Sequence, residues 1–268
     1  MVFTNWSPNE LLSFFMVLIR ISTLIILLPI FGDKAVPGTI KIILSLTVSA
    51  VLFPILRENG SIHIADANEW SSTTGKLLMT LASELMVGLA IGFASQLVFH
   101  SIQAAGDFMS QFMGMSMASQ YDPHTQSQTV VMGQLLNALA MLTFLSIDGH
   151  HMLFRAMVES FHLIPQGHFV MGEAFKNSLI SMTGNTILFG VQLAAPMAAC
   201  MMLVNIVYGI FGKALPQLNI LTLSMASGVL VGGFVLMISY PSIQNGMVNV
   251  FQTYFDDLKQ FMVVYGGK

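Results

Sequence analysis

NSLISMTGNTILFGVQLAAPMAACMMLVNIVYGIFG, residues 177–212, contains no Asp, Glu, Lys, Arg or His, and from Asn177 to Phe255 the single such side chain is Lys213. A water-soluble fold carries charge on roughly a quarter of its residues. This stretch therefore belongs to lipid or to other apolar protein. Coiled as one helix it reaches about 54 Å, well past the ~30 Å hydrocarbon core of a bilayer. Pro196 lies inside it and is expected to kink or break the helix. At about 100° per residue, Asn185 and Gln192 share a face while Asn205 lies roughly opposite Asn185. Amides on two sides of an apolar helix imply surrounding protein, because an unpaired amide in hydrocarbon is costly.

The same composition extends over all 268 residues, which are 54% hydrophobic and 9% charged. Apolar stretches near Leu11–Phe31, Thr39–Leu56, Leu77–His100, Val130–Ile147, Leu179–Phe211 and Leu218–Tyr240 supply six candidate spans, all but the over-long fifth close to the ~20 residues a crossing helix needs. They are continuously apolar, without the alternation that membrane barrel strands require. The fold class is all-α: an integral membrane protein with about six long, partly Pro/Gly-broken apolar helices. The polar connectors leave little for a separate globular domain, so residues 1–268 read as one membrane domain. Its end, 241–268, is an amphipathic tail whose Val250, Phe251, Tyr254, Phe255, Leu258, Phe261 and Met262 suit a membrane surface or a partner. The first span imitates a secretory signal, but Glu10 precedes it and its first basic residue, Arg20, falls mid-span, so it is expected to remain as a helix. Arg57, Lys76, Arg155, Lys176, Lys259 and Lys268 fall on the side of the termini, and Lys34, Lys41 and Lys213 on the other, which favours cytoplasmic termini.

Little in the chain points to catalysis. One cysteine, Cys200, excludes an intrachain disulfide framework, and a net charge of −3 offers no basic stripe for nucleic acid. Asp148, His150, His151, His162 and His168 form the one cluster that invites a metal reading. The spacing lacks a helical i, i+4 ligand pair, and adjacent histidines on a helix diverge by about 100°. A polar connector with Asp148 starting a helix is the simpler account. No hydrolase, metalloprotease or phosphate-loop motif stands in a usable context. The expectation is a non-enzyme with no cofactor and no metal.

Two features are costly unless they have partners. Arg20 in the middle of a span costs about 2.5–3.5 kcal/mol on insertion scales, and Glu84 in the third span is the acid available to pair with it. Small residues four apart, among them Gly88 with Gly92 and Gly228 with Gly232, allow close helix packing within the chain or between chains. The connector AGDFMSQFMGMSMASQYDPHTQSQ is richer in Phe and Met than a solvated loop tolerates. It is either the end of the third helix or a loop filling an apolar constriction.

An early Arg20 with Pro29, Pro37 and Lys41, then GFASQLVFHSIQAAGDFMSQ, then DGHHMLFRAMVESFHLIP, then QLAAPMAACMMLVNIVYGIFGKALPQLNI, follow the order seen in one family. From about Leu11 to Tyr240 the chain resembles the type III export gate family of flagellar and virulence secretion. It departs where the family has Arg in place of Lys213 and a Gly-Phe-Pro after the Asn where this chain reads NILTLSMASG. The resemblance implies a set of long broken helices, partly raised out of the bilayer, in a subunit at the bacterial inner membrane within the flagellar basal body. It further implies assembly with FliP and FliQ into a ring for unfolded export substrates, and contact with FlhB. Its pore-closing loop falls on Gly106 to Asp122, with Phe108, Met109, Phe112, Met113, Met115 and Met117 sealing the channel by dewetting. Gly88 and Gly92 by their spacing, Gln192 by its amide on an apolar helix, and Pro196, Asn205, Lys213, Pro216, Gln217 and Asn219 in the family-like stretch are the candidate subunit-packing positions. A small-molecule secondary transporter is the rival reading, since Pro-broken helices with internal polar residues suit that class too. No internal repeat relates residues 1–134 to the rest, as such a transporter would ordinarily show.

Overall fold

The computed structural model describes residues 6–29, 36–115, 131–168, 172–215, 217 and 220–265. Among these the regular structure is all helical, with no strand: α1 (Pro8–Leu27), α2 (Gly38–Glu58), short helical turns at Ile64–Asp66 and Ala67–Trp70, α3 (Thr74–Phe112), α4 (Val131–Ser146), α5 (Gly149–Leu163), α6 (Glu173–Ala214) and α7 (Ile220–Tyr265). Among the described residues five helices are long and apolar enough to cross a membrane, or six when α4 and α5 are counted as one bent span. The chain is thus an all-α integral membrane protein, as its composition requires.

Local chemistry sets the ends of the first hairpin. Pro8 opens α1, Ser7 Oγ accepts from the Glu10 N–H at 3.2 Å, and the Ser7 N–H donates to Glu10 Oε2 at 2.8 Å, closing a capping box. α2 stops at Gly60, whose φ of 69° suits a residue without Cβ. There the Ser61 N–H reaches Leu56 O and the Gly60 N–H reaches Arg57 O, the paired bonds of a Schellman end. Arg57 at the end of α2 bonds Glu10 at the start of α1, 2.6 Å apart, so the two helices run antiparallel. Hydroxyls within the spans return their protons to their own helix: Thr23 to Ile19 O, Ser49 to Ser45 O, Ser95 to Ile91 O, Thr143 to Leu139 O. In a medium without water that satisfies donors no neighbour reaches.

The residues group into two compact units: Met1–Leu97 with Asp148–Thr183 and Thr253–Lys268, and Val98–Ile147 with Gly184–Gln252. In the first, α1 packs along α2, and Met16, Ala67 and Trp70 form a core against which Leu12, Leu77 and Leu81 rest. In the second, Phe99, Phe144 and Phe251 meet with ring centroids 5.2–5.5 Å apart.

Two expectations narrow. Of the kink or break expected at Pro196, the break does not occur: α6 continues from Glu173 to Ala214. A proline removes a single backbone donor, and where no water competes for the freed carbonyl the helix on either side persists. The amphipathic face of the tail is not free for a membrane surface. Phe251, Tyr254, Phe255, Leu258, Phe261 and Met262 are buried in the chain itself, Tyr254 bonding Ser95 Oγ at 2.6 Å and Phe261 lying 5.7 Å from Phe175.

Candidate functional site

Arg20 on α1 and Glu84 on α3 are both wholly buried. Arg20 Nε donates to Glu84 Oε2 at 2.6 Å and Nη2 donates to Oε1 at 3.0 Å, a parallel pair of bonds. The other N–H groups are also used: Nη1 donates to Ser160 O at 3.0 Å and Ile164 O at 3.1 Å, and Nη2 to Ile164 O at 3.1 Å. The guanidinium lies over the Phe161 ring, 4.1 Å from its centroid. Glu84 Oε1 accepts a third bond, from the Gly167 N–H at 3.2 Å. Every N–H of the guanidinium therefore has an acceptor, the condition under which a buried charge pair is tolerable. Three of its bonds go to carbonyls at the C-terminal end of α5, so the cation also sits at the negative end of that helix.

Close approach of the helices makes the short pair possible. A Cβ on Gly88 would stand 2.7 Å from Arg20 O and 2.9 Å from Thr23 Cβ, and one on Gly92 would stand 2.5 Å from Leu27 Cβ. The bare faces of Gly88 and Gly92, placed by the sequence among the subunit-packing positions, are filled by α1 of the same chain. A guanidinium bonded across two helices at 2.6 Å holds their backbones too near for any side chain between them.

The Phe- and Met-rich segment begins as helix. α3 continues through Gly106 and Asp107 to Phe112 and stops where Gly114 takes a φ of 77°. A Cβ on Gly106 would lie 2.6 Å from Gly133 Cα, and Asp107 Oδ1 lies against Gly133 on α4. Met109 and Met113, expected among the plug residues, are each only 1% exposed. Met113 lies across Gly228 and Gly232 of α7: a Cβ on Gly232 would come 2.5 Å from Met113 Cγ. Helical spacing carries both methionines onto the packed face of α3, while Phe108 and Phe112 are 42% and 38% exposed and Met115 is half-buried. Met117 and Asp122 lie outside the described residues.

Along α6, Gln192, Pro196, Asn205 and Lys213 are exposed, as is Gln217 beyond its end; Pro216 and Asn219 lie outside the described residues. Among the described residues the amides of Asn185, Gln192 and Asn205 show no hydrogen-bond partner. Their neighbours Ile187, Met202, Leu203 and Ile210 are each 63–66% exposed.

The family model of bacterial export proteins, family 1, matches residues 11–254. The chain belongs to this family. Similar proteins include the flagellar biosynthetic protein FliR of Pectobacterium carotovorum subsp. carotovorum, 27% identical over 98% of this chain and 97% of that one. Those of Bacillus subtilis (strain 168) and Escherichia coli (strain K12) are each 26% identical, over 95% and 91% of this chain and 96% and 90% of their own.

In this export-family chain the backbone groups that complete the Arg20–Glu84 site, the acceptors Ser160 O and Ile164 O and the donor Gly167 N–H, carry no side-chain signature. The one signal for them is the Leu163–Ile164–Pro165 end of α5: a helix stopping before proline presents carbonyls that need donors.

Proposed function

We propose that the chain is a non-catalytic subunit of the flagellar type III protein export gate in the bacterial inner membrane, at the flagellar basal body. It assembles there with FliP and FliQ, contacts FlhB, and helps form the conduit for unfolded export substrates. Export-family membership and the names of the relatives support this reading. The observation that carries it is the surface of α6, where exposed Gln192 and Asn205 stand among large exposed apolar side chains. Lipid leaves the amides unpaired and water leaves the apolar groups exposed; protein partners suit both. The 42 residues of α6 reach about 63 Å, roughly twice a hydrocarbon core, so part of that apolar length needs cover other than lipid.

Within this reading the pore-closing segment runs from Gly106 to Asp122. Phe108, Phe112 and Met115 face the conduit, while Met109 and Met113 anchor the segment to the packed helices; Met117, outside the described residues, belongs to the same segment. Gln192, Asn205, Lys213, Pro216, Gln217 and Asn219 belong to contacts with partner subunits.

Expression of the chain alone and with FliP and FliQ tests the assembly. A gate subunit co-purifies with both, and its loss abolishes motility while nutrient uptake is unchanged. A chain that is monodisperse alone and binds a solute is the rival transporter. Within the complex, F108A/F112A is expected to raise membrane ion conductance with assembly intact; an unchanged conductance removes those two residues from the seal.

A further inference from the structure

Three metal-ligating side chains at the start of α5 are unused by the export reading. Asp148 has a left-handed backbone, φ 56°, and its side chain makes no capping bond to the helix it precedes. Its Oδ1 instead faces His151 Nδ1 at 3.3 Å. That is longer than the ~2.9–3.0 Å usual for an N–H···O bond. It is close to the edge of a tetrahedron with metal–ligand bonds of about 2.0–2.1 Å, an edge of roughly 3.3–3.4 Å. Side chains of adjacent residues on a regular helix diverge, which is the sequence argument against His150 and His151 acting together. In this first turn their rings nevertheless lie 4.1 Å apart at 37°. His150 Nδ1 is shut off from solvent with no hydrogen-bond partner among the described residues. A buried ring nitrogen left bare is uncommon and marks a group awaiting a partner. One ligand atom from each of Asp148, His150 and His151 lies within 4.8 Å of the others.

We propose that Asp148, His150 and His151 form a binding site for one divalent transition-metal ion of the zinc type. Two imidazoles and a carboxylate are a borderline donor set that suits zinc better than calcium or magnesium, which take oxygen donors in larger number. All three ligands fall within four consecutive residues, so the site needs no partner chain, and its fourth position is open to water. An ion held there fixes the left-handed turn at Asp148 and with it the start of α5, the helix whose other end binds Arg20.

The test uses the full chain, purified in detergent without a histidine tag, stripped with chelator and titrated with Zn²⁺; Co²⁺ serves as a second probe through its visible absorption. One Zn²⁺ per chain and the intense absorption of tetrahedral Co²⁺ are expected. H150A and H151A should each weaken Zn²⁺ binding at least about tenfold. D148N should weaken it comparably with unchanged far-ultraviolet circular dichroism, since Asn tolerates the left-handed region. The proposal is overturned by a wild-type chain that takes up no stoichiometric Zn²⁺, or by uptake that persists in H150A/H151A. Should the alanine variants fail to fold, D148N decides alone: wild-type affinity there refutes the site.

Discussion

Around Arg20, α1, α3 and α5 are joined by a buried guanidinium whose N–H groups all have acceptors, whereas around Met113 the end of α3 meets α7 through that residue's carbonyl against Gly228 and its thioether across Gly232. Both contacts bring helices close in a medium without water, but they respond oppositely to displacement. A shift of one residue at Arg20 strands a charge and several polar groups in low dielectric, so the contact holds as a whole or fails as a whole. A methionine has three rotatable bonds and no polar obligation, and it re-packs as its groove moves. The first unit is therefore keyed to one arrangement. The second, which holds the Phe- and Met-rich segment, has at Gly232 a flexible side chain that can re-pack.

The strongest way to break this comparison is to remove the key. R20M should cost about 3–5 kcal/mol, because Glu84 is left as an uncompensated buried charge. Thermal unfolding in detergent, followed by circular dichroism, reads it. R20M/E84M should be markedly more stable than R20M, since a neutral pair of similar volume strands no charge; the freed Ile164 carbonyl keeps it short of wild type. A single variant that melts with the wild type would show that the network adds no rigidity, and the contrast between the units would be lost.

Much of this was legible before any coordinates. A charge in the middle of an apolar span needs an opposite charge, and Glu84 was the acid within reach, so Arg20 and Glu84 could be paired from composition alone. The helices were legible because lipid enforces long uninterrupted apolar runs. Their true lengths were not: α3 passes beyond His100 because Gln103, Asp107 and Gln111 are polar without stopping a helix, and nothing does so before Gly114. The tail read as separate because its apolar stripe looks the same whether it covers a membrane, a partner or its own chain. The carbonyls at Ser160 and Ile164 were invisible, since backbone groups carry no mark in sequence. Met109 and Met113 stood out by composition, but the burial of Met113 depends on where α7 places Gly228 and Gly232.

The comparison sharpens when each unit receives the same small insult. G88A drives a methyl to 2.7 Å from Arg20 O and 2.9 Å from Thr23 Cβ, atoms fixed by the backbone of α1. Overpacking of that kind costs about 1–3 kcal/mol, and here it also lengthens the ion pair. For G232A the three nearest atoms are all in one side chain, Met113 Cγ, Cε and Sδ, at 2.5, 2.6 and 2.9 Å. Rotation of the thioether relieves much of that overlap, and Ala gains about 0.8–1.0 kcal/mol over Gly in a helix, so the net loss should stay below about 1 kcal/mol. Melting in the same detergent ranks the two. The cause of any difference is tested by M113A, in whose background G232A should cost nothing further, because the flexible chain it strikes is gone. No side-chain truncation can do the same for G88A, whose nearest obstacle is a backbone carbonyl. If G232A proved as costly as G88A and M113A failed to relieve it, the second unit would be as rigid as the first.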